Sequence, residues 1–373
     1  MKCTWPYESV PMRLMICLAV AASFLYLGFW PVPIEPTNWQ APSDQGYVGA
    51  FSSNTQLQSA EFVQLDNTDG PEALARGPEG DIYISSAQGW VLRHNPLTRA
   101  TTRWVNTDGR PLGMAFDANQ NLLVADAYRG LLRIAPSGRV SVLTDSVGGS
   151  PIAYADDVDV AADGKVYFSD ASTKFGAQAH GGTYAASLLD TMEHGGHGRV
   201  LVYNPVDRST EVLLDGLNFA NGIALDADSR FLLIAETGHY RIKKYWLSGP
   251  DQGTTDILID NLPGFPDNIV RGPNGRFWIG LVAPRNRLLD GMSTHPWLRK
   301  LVQRLPSILH PTIVPFGHVF SIDGHGDNIR SLQDPTGGYH GVTGALETEQ
   351  WLYISSLFED RLARLKRAPL NLQ

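Results

Sequence analysis

Residues 77–85 read GPEGDIYIS, a tight turn followed by a short apolar strand, and the pattern recurs five more times along the chain. The other copies are DANQNLLVAD (117–126), AADGKVYFSD (161–170), DADSRFLLIAE (226–236), GPNGRFWIG (272–280) and ETEQWLYIS (347–355). The apolar runs end 40, 44, 66, 45 and 75 residues apart, at Ile84, Val124, Phe168, Ile234, Ile279 and Ile354. A base period of about 40 residues is typical of one four-stranded propeller blade. We therefore predict an all-β fold, a six-bladed β-propeller over residues 58–368.

The segments outside the repeat fit the same architecture. Residues 61–65 (EFVQL) precede the first copy and are predicted to complete the last blade, which closes the ring and removes exposed sheet edges. The two long intervals contain insertions, residues 173–198 and 284–315, that directly follow a second strand. Loops after second strands lie on the face where the innermost strands start, so both insertions should cover one mouth of the channel as lids. A pair of unrelated β-sandwiches is the alternative, which the regular spacing disfavours.

Composition excludes several classes of protein. The 373 residues are 43% apolar and 18% charged, which is an ordinary globular composition. A net charge of −8 argues against nucleic-acid binding. The only cysteines are Cys3 and Cys17, so the folded part contains no disulfide, thiolate metal site or cysteine nucleophile. Partners, oligomeric state and substrate are not readable from composition.

An apolar segment near the N-terminus predicts a membrane anchor within residues 1–35. Residues 14–34 carry no charge, and their apolar run is just long enough for one membrane-spanning helix. A cleaved signal peptide is the alternative, but the small residues 19–21 lie too early in the run for a cleavage site. We therefore favour an uncleaved signal anchor.

The distribution of positive charge predicts the orientation of this anchor. Lys2 and Arg13 precede the apolar run, and the next Lys or Arg is Arg76. The positive-inside rule then places the N-terminus in the cytoplasm and the propeller on the extracytoplasmic, or periplasmic, side. Residues 36–57 are rich in Pro, Ser, Asn and Gln, and we interpret them as a spacer that holds the propeller away from the bilayer.

Equivalent positions in the six repeats predict a metal centre. Counting back 12 or 13 residues from each run end gives the starts of the innermost strands, at Glu72, Leu112, Asp156, Asn221, Asp267 and Val342. Asp157 and Asn268 directly follow two of these positions. Three acids brought to one axis would repel each other unless a divalent cation neutralised them, and oxygen ligands favour Ca²⁺ above all. Zinc and manganese remain alternatives, as does the use of Asp and Asn to form turns before strands.

The residues around this ring also carry a family resemblance. The stretches GRPLGMAFD (109–117), FANGIALD (219–226) and LPGFPDNI (262–269) resemble the strictosidine synthase-like family, with similarity from about residue 70 to 367. That family is related to the paraoxonase and gluconolactonase/regucalcin propellers. The resemblance implies that Glu72, Asn221, Asp267 and Asn268 match paraoxonase-type calcium ligands, with Asp156 where those enzymes have Asn.

Two departures limit what the resemblance implies about activity. Leu112 replaces the catalytic His of paraoxonases, and residues 339–343 contain no acid where strictosidine synthases have a catalytic Glu. The resemblance then implies an arylesterase or lactonase. For such an enzyme, acting on a small ester or lactone, we expect the ion to polarise the carbonyl group and Asp156, Asp157 or His340 to move the proton. The alternative is a propeller with a structural metal that binds a ligand or protein without turnover.

Overall fold

Each copy of the repeated pattern forms the second strand of a four-stranded antiparallel sheet. In the computed structural model, which describes residues 12–65, 67–310 and 312–370, six such sheets form the blades of a propeller. The first strand of every blade contacts the first strands of both neighbouring blades, so the six inner strands close a ring. The predicted six-bladed fold is confirmed.

The blades, each written from its innermost strand outward, have the following bounds. They are Leu74–Arg76, Ile82–Ser85, Trp90–His94 and Thr101–Asn106 in blade 1; Pro111–Phe116, Leu122–Asp126, Gly130–Ile134 and Val140–Thr144 in blade 2; Ala155–Val160, Val166–Asp170, Gly198–Asn204 and Ser209–Leu217 in blade 3; Ala220–Leu225, Phe231–Glu236, Arg241–Trp246 and Thr255–Ile259 in blade 4; Gly264–Arg271, Arg276–Pro284, Gly317–Asp323 and Arg330–Asp334 in blade 5; and Val342–Glu347, Trp351–Ser356, Arg361–Lys366 and Glu61–Gln64 in blade 6. A two-residue hairpin, Ser146–Val147 with Ser150–Pro151, follows blade 2.

The second strands read as continuous apolar runs because both of their faces are covered. Every residue of Phe231–Glu236 and of Leu122–Asp126 is buried between neighbouring blades. The turn before the second strand requires a left-handed backbone, which explains Gly80 and Gly164 at φ of 88° and 86°. Glycine adopts this conformation without steric cost, so the turn and the apolar run together define each blade.

Blade 6 is closed by the strand nearest the N-terminus, as the sequence predicted. Glu61–Gln64 pairs antiparallel with Arg361–Lys366, with Glu61 opposite Arg364. An ion pair of 2.7 Å joins Glu61 Oε2 to Arg364 Nη2 in the same register. The ring is therefore held shut by a hydrogen-bonded strand rather than by a covalent link.

In the described part of the chain four α-helices lie outside the blades, and three of them belong to the two predicted lids. Helix α1 is Met12–Phe29, α2 is Thr183–Glu193, α3 is Arg287–Gly291 and α4 is Pro296–Gln303. Helix α2 lies in the insertion of blade 3, and α3 and α4 lie in that of blade 5. Short 3₁₀ turns occur at Gly49–Phe51, Gln56–Ser59, Thr237–His239, Pro273–Gly275, Ser307–Leu309 and Ala368–Leu370.

Helix α1 is long and apolar enough to cross a membrane, and none of it is buried against the propeller. Its 18 residues span about 27 Å, close to the thickness of a bilayer's hydrocarbon core. Lys2 lies outside the described residues, as does the rest of residues 1–11, so the cytoplasmic N-terminus stays a prediction.

The segment interpreted as a spacer lies against the propeller instead of extending away from it. We call residues 31–57 the strap. Ile34 is fully buried beside Leu112 and Phe219, and Thr37 N donates to Glu193 O at the end of α2. Further along the strap, the carbonyl oxygen of Pro42 accepts a hydrogen bond from Arg285. The polar composition therefore belongs to a segment that follows the surface of the propeller, held by the buried Ile34 and by backbone hydrogen bonds.

Arg299 of α4 joins the strap to both lids. Its side chain is completely buried and donates to the carbonyl oxygens of Met192, Glu193, Ser293 and Thr37. These oxygens belong to the end of α2, the loop before α4 and the strap. One guanidinium, with its fixed fork of donors, thus satisfies acceptors from three separate segments.

Arg299→Met should lower the free energy of unfolding by about 3 kcal/mol, because it removes the one buried donor group that four carbonyl oxygens share. Thermal melting of the full chain measures this loss, and limited proteolysis should show faster cleavage within the strap. Lys300→Met, which removes a neighbouring charge that contacts none of these carbonyls, is the matched control. Equal melting temperatures for the two variants would contradict the assigned role of Arg299.

A stacked pair of rings fixes the middle of the strap. The Trp39 ring lies 3.8 Å from the His194 ring with an interplanar angle of 9°. His194 Nε2 is also 3.2 Å from His239 Nε2, and His239 Nδ1 contacts Glu236 at 2.8 Å. Burial, followed by the charges of His239, Arg299 and Arg241, lowers the pKa of His194 to about 3, against a smaller opposing effect of Glu236. The stack therefore requires a neutral imidazole.

Because His194 is buried as a neutral imidazole, the free energy of unfolding should fall as the pH falls. An imidazole with a depressed folded pKa stabilises the fold fully above its unfolded pKa of about 6.5, and the stabilisation is lost as the pH falls toward 3. From pH 7 to pH 5 the loss should be about 2 kcal/mol. His194→Asn, which tolerates the left-handed backbone at φ 57°, should reduce this dependence. Chemical denaturation at both pH values tests it, with the exposed His325→Asn as a control that should behave like the unmodified chain.

Candidate metal centre and lidded cavity

The six inner strands bring the predicted ring positions together at one end of the channel. Glu72, Asp156, Asn221 and Asp267 are all at least 94% buried, and all four line one cavity. Leu112 lines the same cavity, whereas Val342 is fully buried and is not among its lining residues. The structure therefore places four oxygen-bearing side chains and one apolar side chain at the cavity floor.

Three buried oxygen atoms in this ring have no hydrogen-bond partner. They are Glu72 Oε2, Asn221 Oδ1 and Asn268 Oδ1. The amide of Asn268 donates to Glu72 Oε1 at 2.8 Å, and the amide of Asn221 donates to Asp267. Each asparagine thus uses its NH₂ group to orient a carboxylate and leaves its own oxygen free. Buried acceptors without donors are costly, and a cation of the hard, oxygen-binding kind fits this donor set.

The carboxylates repel one another in the absence of such an ion. Burial raises the pKa of Asp156 and Asp267 well above the usual range, and the charge of Glu72 raises both further. Burial also raises the pKa of Glu72, opposed by the positive charge of Arg110. Arg110 is buried, and its Nη1 has no partner. A divalent ion together with Arg110 would balance the three acidic charges of the ring.

The carboxylates of Glu72, Asp156 and Asp267 are not by themselves arranged as a metal site. Among residues 12–65, 67–310 and 312–370, no three His, Cys, Asp or Glu side chains are grouped as a metal site. Any ion on the axis would therefore depend on the amide oxygens of Asn221 and Asn268 as well as on the acids. The amide oxygens distinguish this donor set from the nitrogen and sulfur sets that zinc prefers.

Two residues predicted to move a proton do not line the cavity. Asp157 lies behind the ring, where Oδ1 accepts from Val158 N and Oδ2 accepts from Ile223 N, both at 2.8 Å. It joins the inner strands of blades 3 and 4, and Gly113 packs so closely that any Cβ there would collide with its carboxylate. His340 is stacked on Phe358 and lies 3.1 Å from Glu359, away from the cavity lining.

Sequence reasoning missed the hydroxyl groups that hold the inner strands in place. Ser169 Oγ accepts from Asp157 N and donates to Asn221 O, both within 2.9 Å. Ser85 Oγ accepts from Ala73 N, and Ser355 Oγ accepts from Thr343 Oγ1. All three serines directly follow the end of an apolar run. Their shared register was the signal that could have identified them.

The cavity above the ring has a volume of about 200 Å³ and apolar walls. Tyr154 and Phe219 pack edge to face at 5.3 Å beside the ring, and Phe219 adopts a left-handed backbone that is strained for an aromatic residue. The two lids supply the rest of the wall, as the sequence predicted. The lid residues include Tyr184, Leu188, Met192, Leu289, Val302, His310, Ile313 and Val314.

His310 is the one histidine among the cavity-lining residues, and the sequence did not single it out. Its Nε2 is 2.9 Å from the carbonyl oxygen of Leu305, within the lid of blade 5. This contact holds the loop after α4 in place.

Several solved structures are similar to this chain in architecture. A gluconolactonase from Xanthomonas campestris superimposes with a TM-score of 0.62 at 17% sequence identity, covering 90% of this chain and 98% of that one. A calcium-binding protein, regucalcin, from Agrobacterium tumefaciens gives 0.57 at 14% identity, covering 82% and 93%. At these identities the similarity shows the shared fold.

Sequence comparisons then define the family. A strictosidine synthase model matches residues 156–250, and a model of the N-terminal part of strictosidine synthase-like proteins matches residues 49–94. The adipocyte plasma membrane-associated protein of Danio rerio is 32% identical, over 98% of this chain and 92% of that protein. The chain belongs to the strictosidine synthase-like family.

Addition of Ca²⁺ should raise the melting temperature, because the ion binds a site that exists only in the folded state and neutralises Glu72, Asp156 and Asp267. A free concentration about 100 times the dissociation constant adds about 2.7 kcal/mol of stability. Asn221→Ala should abolish this calcium-dependent shift. Leu112→Ala, at an equivalent ring position without an oxygen, should melt earlier yet keep the shift. Melting that is indifferent to both calcium and chelator would contradict the centre.

Proposed function

We propose that this chain is a membrane-tethered hydrolase of small esters or lactones that depends on a divalent, calcium-type cation. The observation that carries the proposal is the pair of unpartnered oxygens of Glu72 and Asn221 at the floor of an apolar, lidded cavity, with the unpartnered oxygen of Asn268 directly behind Glu72. A polar centre at the end of an apolar pocket suits a substrate with one polar reactive group and an apolar remainder.

Glu72, Asp156, Asn221, Asp267 and Asn268 are the residues proposed to hold the ion. A divalent cation in such a site supplies Lewis-acid polarisation of an ester or lactone carbonyl. The names of the structural neighbours, a gluconolactonase and a calcium-binding regucalcin, support both the chemistry and the ion. Condensation of the strictosidine synthase type is not proposed, since residues 339–343 offer no acid.

The chain's own side chains would perform the remaining tasks. Asp156 is the predicted proton acceptor that lines the cavity, and burial raises the pKa of its carboxyl well above the usual range. Its position at the cavity wall is what allows its carboxylate to accept the proton of an attacking water molecule. Leu112, Tyr154 and Phe219 would bind the apolar part of the substrate, while the lids exclude bulk water.

The tether in this proposal is α1. Relatives named plasma membrane-associated support it, together with the length and exposure of the helix. The proposed orientation keeps the N-terminus in the cytoplasm and the propeller on the extracytoplasmic side.

A binding propeller without turnover is the second candidate. It is favoured by the positions of Asp157 and His340, which leave the cavity with fewer groups able to transfer protons than the sequence suggested. In that case the ion would stabilise the ring, and the lidded cavity would retain a small apolar ligand.

The proposed hydrolase function predicts that the purified full chain turns over at least one compound in a panel of aryl esters and lactones. This turnover should depend on calcium. Asn221→Ala and Asp267→Ala should each remove that turnover, because both lose an oxygen of the ring. If the unmodified chain binds calcium yet hydrolyses nothing in the panel, the binding function is the better interpretation.

Asp156→Asn separates the proton acceptor from the ligand set. The amide keeps an oxygen for the ion but cannot accept the proton, so turnover should fall about 10²- to 10⁴-fold. The calcium-dependent rise in melting temperature should remain. Undiminished turnover in this variant would assign proton transfer to another group.

A further inference from the structure

Exposed apolar side chains cluster on the lid that covers the cavity mouth. Trp297 of α4 is 63% exposed, Ile308 88% and Leu309 61%. All three belong to the insertion of blade 5, whose inner side includes the cavity-lining Val302 and Ile313. One face of this lid therefore meets the cavity, and the other presents large apolar groups outward. Clusters of this kind mark interaction surfaces, whereas single exposed apolar residues do not.

The same lid is attached to the proposed membrane anchor. Arg304, directly after α4, donates through Nε to Trp30 O at 2.6 Å and through Nη1 to Leu27 O at 3.0 Å. These carbonyls belong to the last turn of α1 and the residue after it. Tyr26 and Trp30 pack against each other at this end, with ring centres 5.6 Å apart. Aromatic residues at the end of an apolar helix are typical of the interface between bilayer and water.

From this continuity we infer that the outer face of the blade 5 lid lies on the lipid bilayer, so that the cavity mouth opens toward the membrane surface. The inference depends on the tether in the proposed function and not on the hydrolytic reaction. The bilayer is the occupant that fits, because the end of α1 fixes the lid at the level where the helix leaves the hydrocarbon.

The composition of the lid agrees with an interfacial position. Trp297 and Ile308 supply the apolar groups that enter the headgroup region, and Lys300 and Arg304 supply cations beside them. Helices and turns that lie in the interface combine these residue types. The strap then serves as a short connection that keeps the propeller against the membrane, since Arg299 ties it to both lids.

This arrangement adds a substrate class to the proposed function. A cavity that opens at the bilayer surface, with an apolar wall, would receive amphiphilic esters or lactones that partition into lipid. A compound fully dissolved in water would enter only through the gap between lid and membrane.

The test uses the full chain in phosphatidylcholine vesicles and a probe that reports contact with lipid. Ile308→Cys in a Cys3→Ser, Cys17→Ser background carries an environment-sensitive fluorophore, and some of the lipids carry nitroxide quenchers near the headgroup. Val206→Cys is the matched control. Val206 is 89% exposed but lies in the turn between the third and fourth strands of blade 3, on the opposite face of the propeller.

The expected result is about two-fold quenching at position 308, consistent with insertion of 5–10 Å into the headgroup boundary, and none at position 206. Quenching at neither position, or equally at both, would overturn the inference. A blue shift at 308 without quenching by lipid nitroxides would also overturn it, since the covering partner would then be protein, such as a second copy of the chain.

A second measurement links the surface to the substrate class. Ile308→Asp should lower turnover of a vesicle-borne ester several-fold while leaving turnover of a water-soluble ester unchanged. Because the quenching experiment needs no catalysis, a chain that hydrolyses neither ester would reject the proposed hydrolase and leave the membrane surface to be decided by fluorescence alone.

Discussion

Repulsion among three carboxylates on one axis is the constraint on which the site depends. Closing six inner strands into a ring forces the side chains at their starts together, and Glu72, Asp156 and Asp267 come into one buried volume. The protein offsets this repulsion locally: asparagine NH₂ groups donate to two of the acids, and Arg110 lies close enough to oppose the charge. The asparagine oxygens that remain free give the ring unpartnered acceptors of the kind that a hard cation binds.

The segments outside the blades form one connected unit above this centre. The strap follows α1 and is tied to the lids by Arg299 and Arg285, while Arg304 of the blade 5 lid donates to the end of α1. Ile34 of the strap packs against Leu112 and Phe219, which form the cavity wall. The shape of the cavity and the position of α1 are consequently coupled through buried contacts, so neither can change without affecting the other.

The regular spacing of the repeats made the ring positions predictable. Irregularities in the inner strands made the directions of the neighbouring side chains unpredictable. A fixed spacing identifies equivalent strand starts, which is why Glu72, Asp156, Asn221 and Asp267 were found from sequence alone. Side-chain direction one residue later was not predictable, because bulges interrupt the inner strands between Ala155 and Val158 and between Pro266 and Ile269. Asp157 therefore bonds to a neighbouring blade, whereas Asn268 joins Glu72. The strap was not predicted because its few apolar contacts, such as those of Ile34 and Trp39, are separated by polar residues without a period, and many of its other contacts use backbone groups.

The pairing of Glu61–Gln64 with Arg361–Lys366 has a consequence for biosynthesis. The strand that closes blade 6 leaves the ribosome about 300 residues before its partner, and α1 precedes both. During synthesis the first five blades can form, but the inner ring stays open until the strands of blade 6 have emerged. A nascent or prematurely terminated chain would therefore lack the closed ring around Glu72, Asp156 and Asp267.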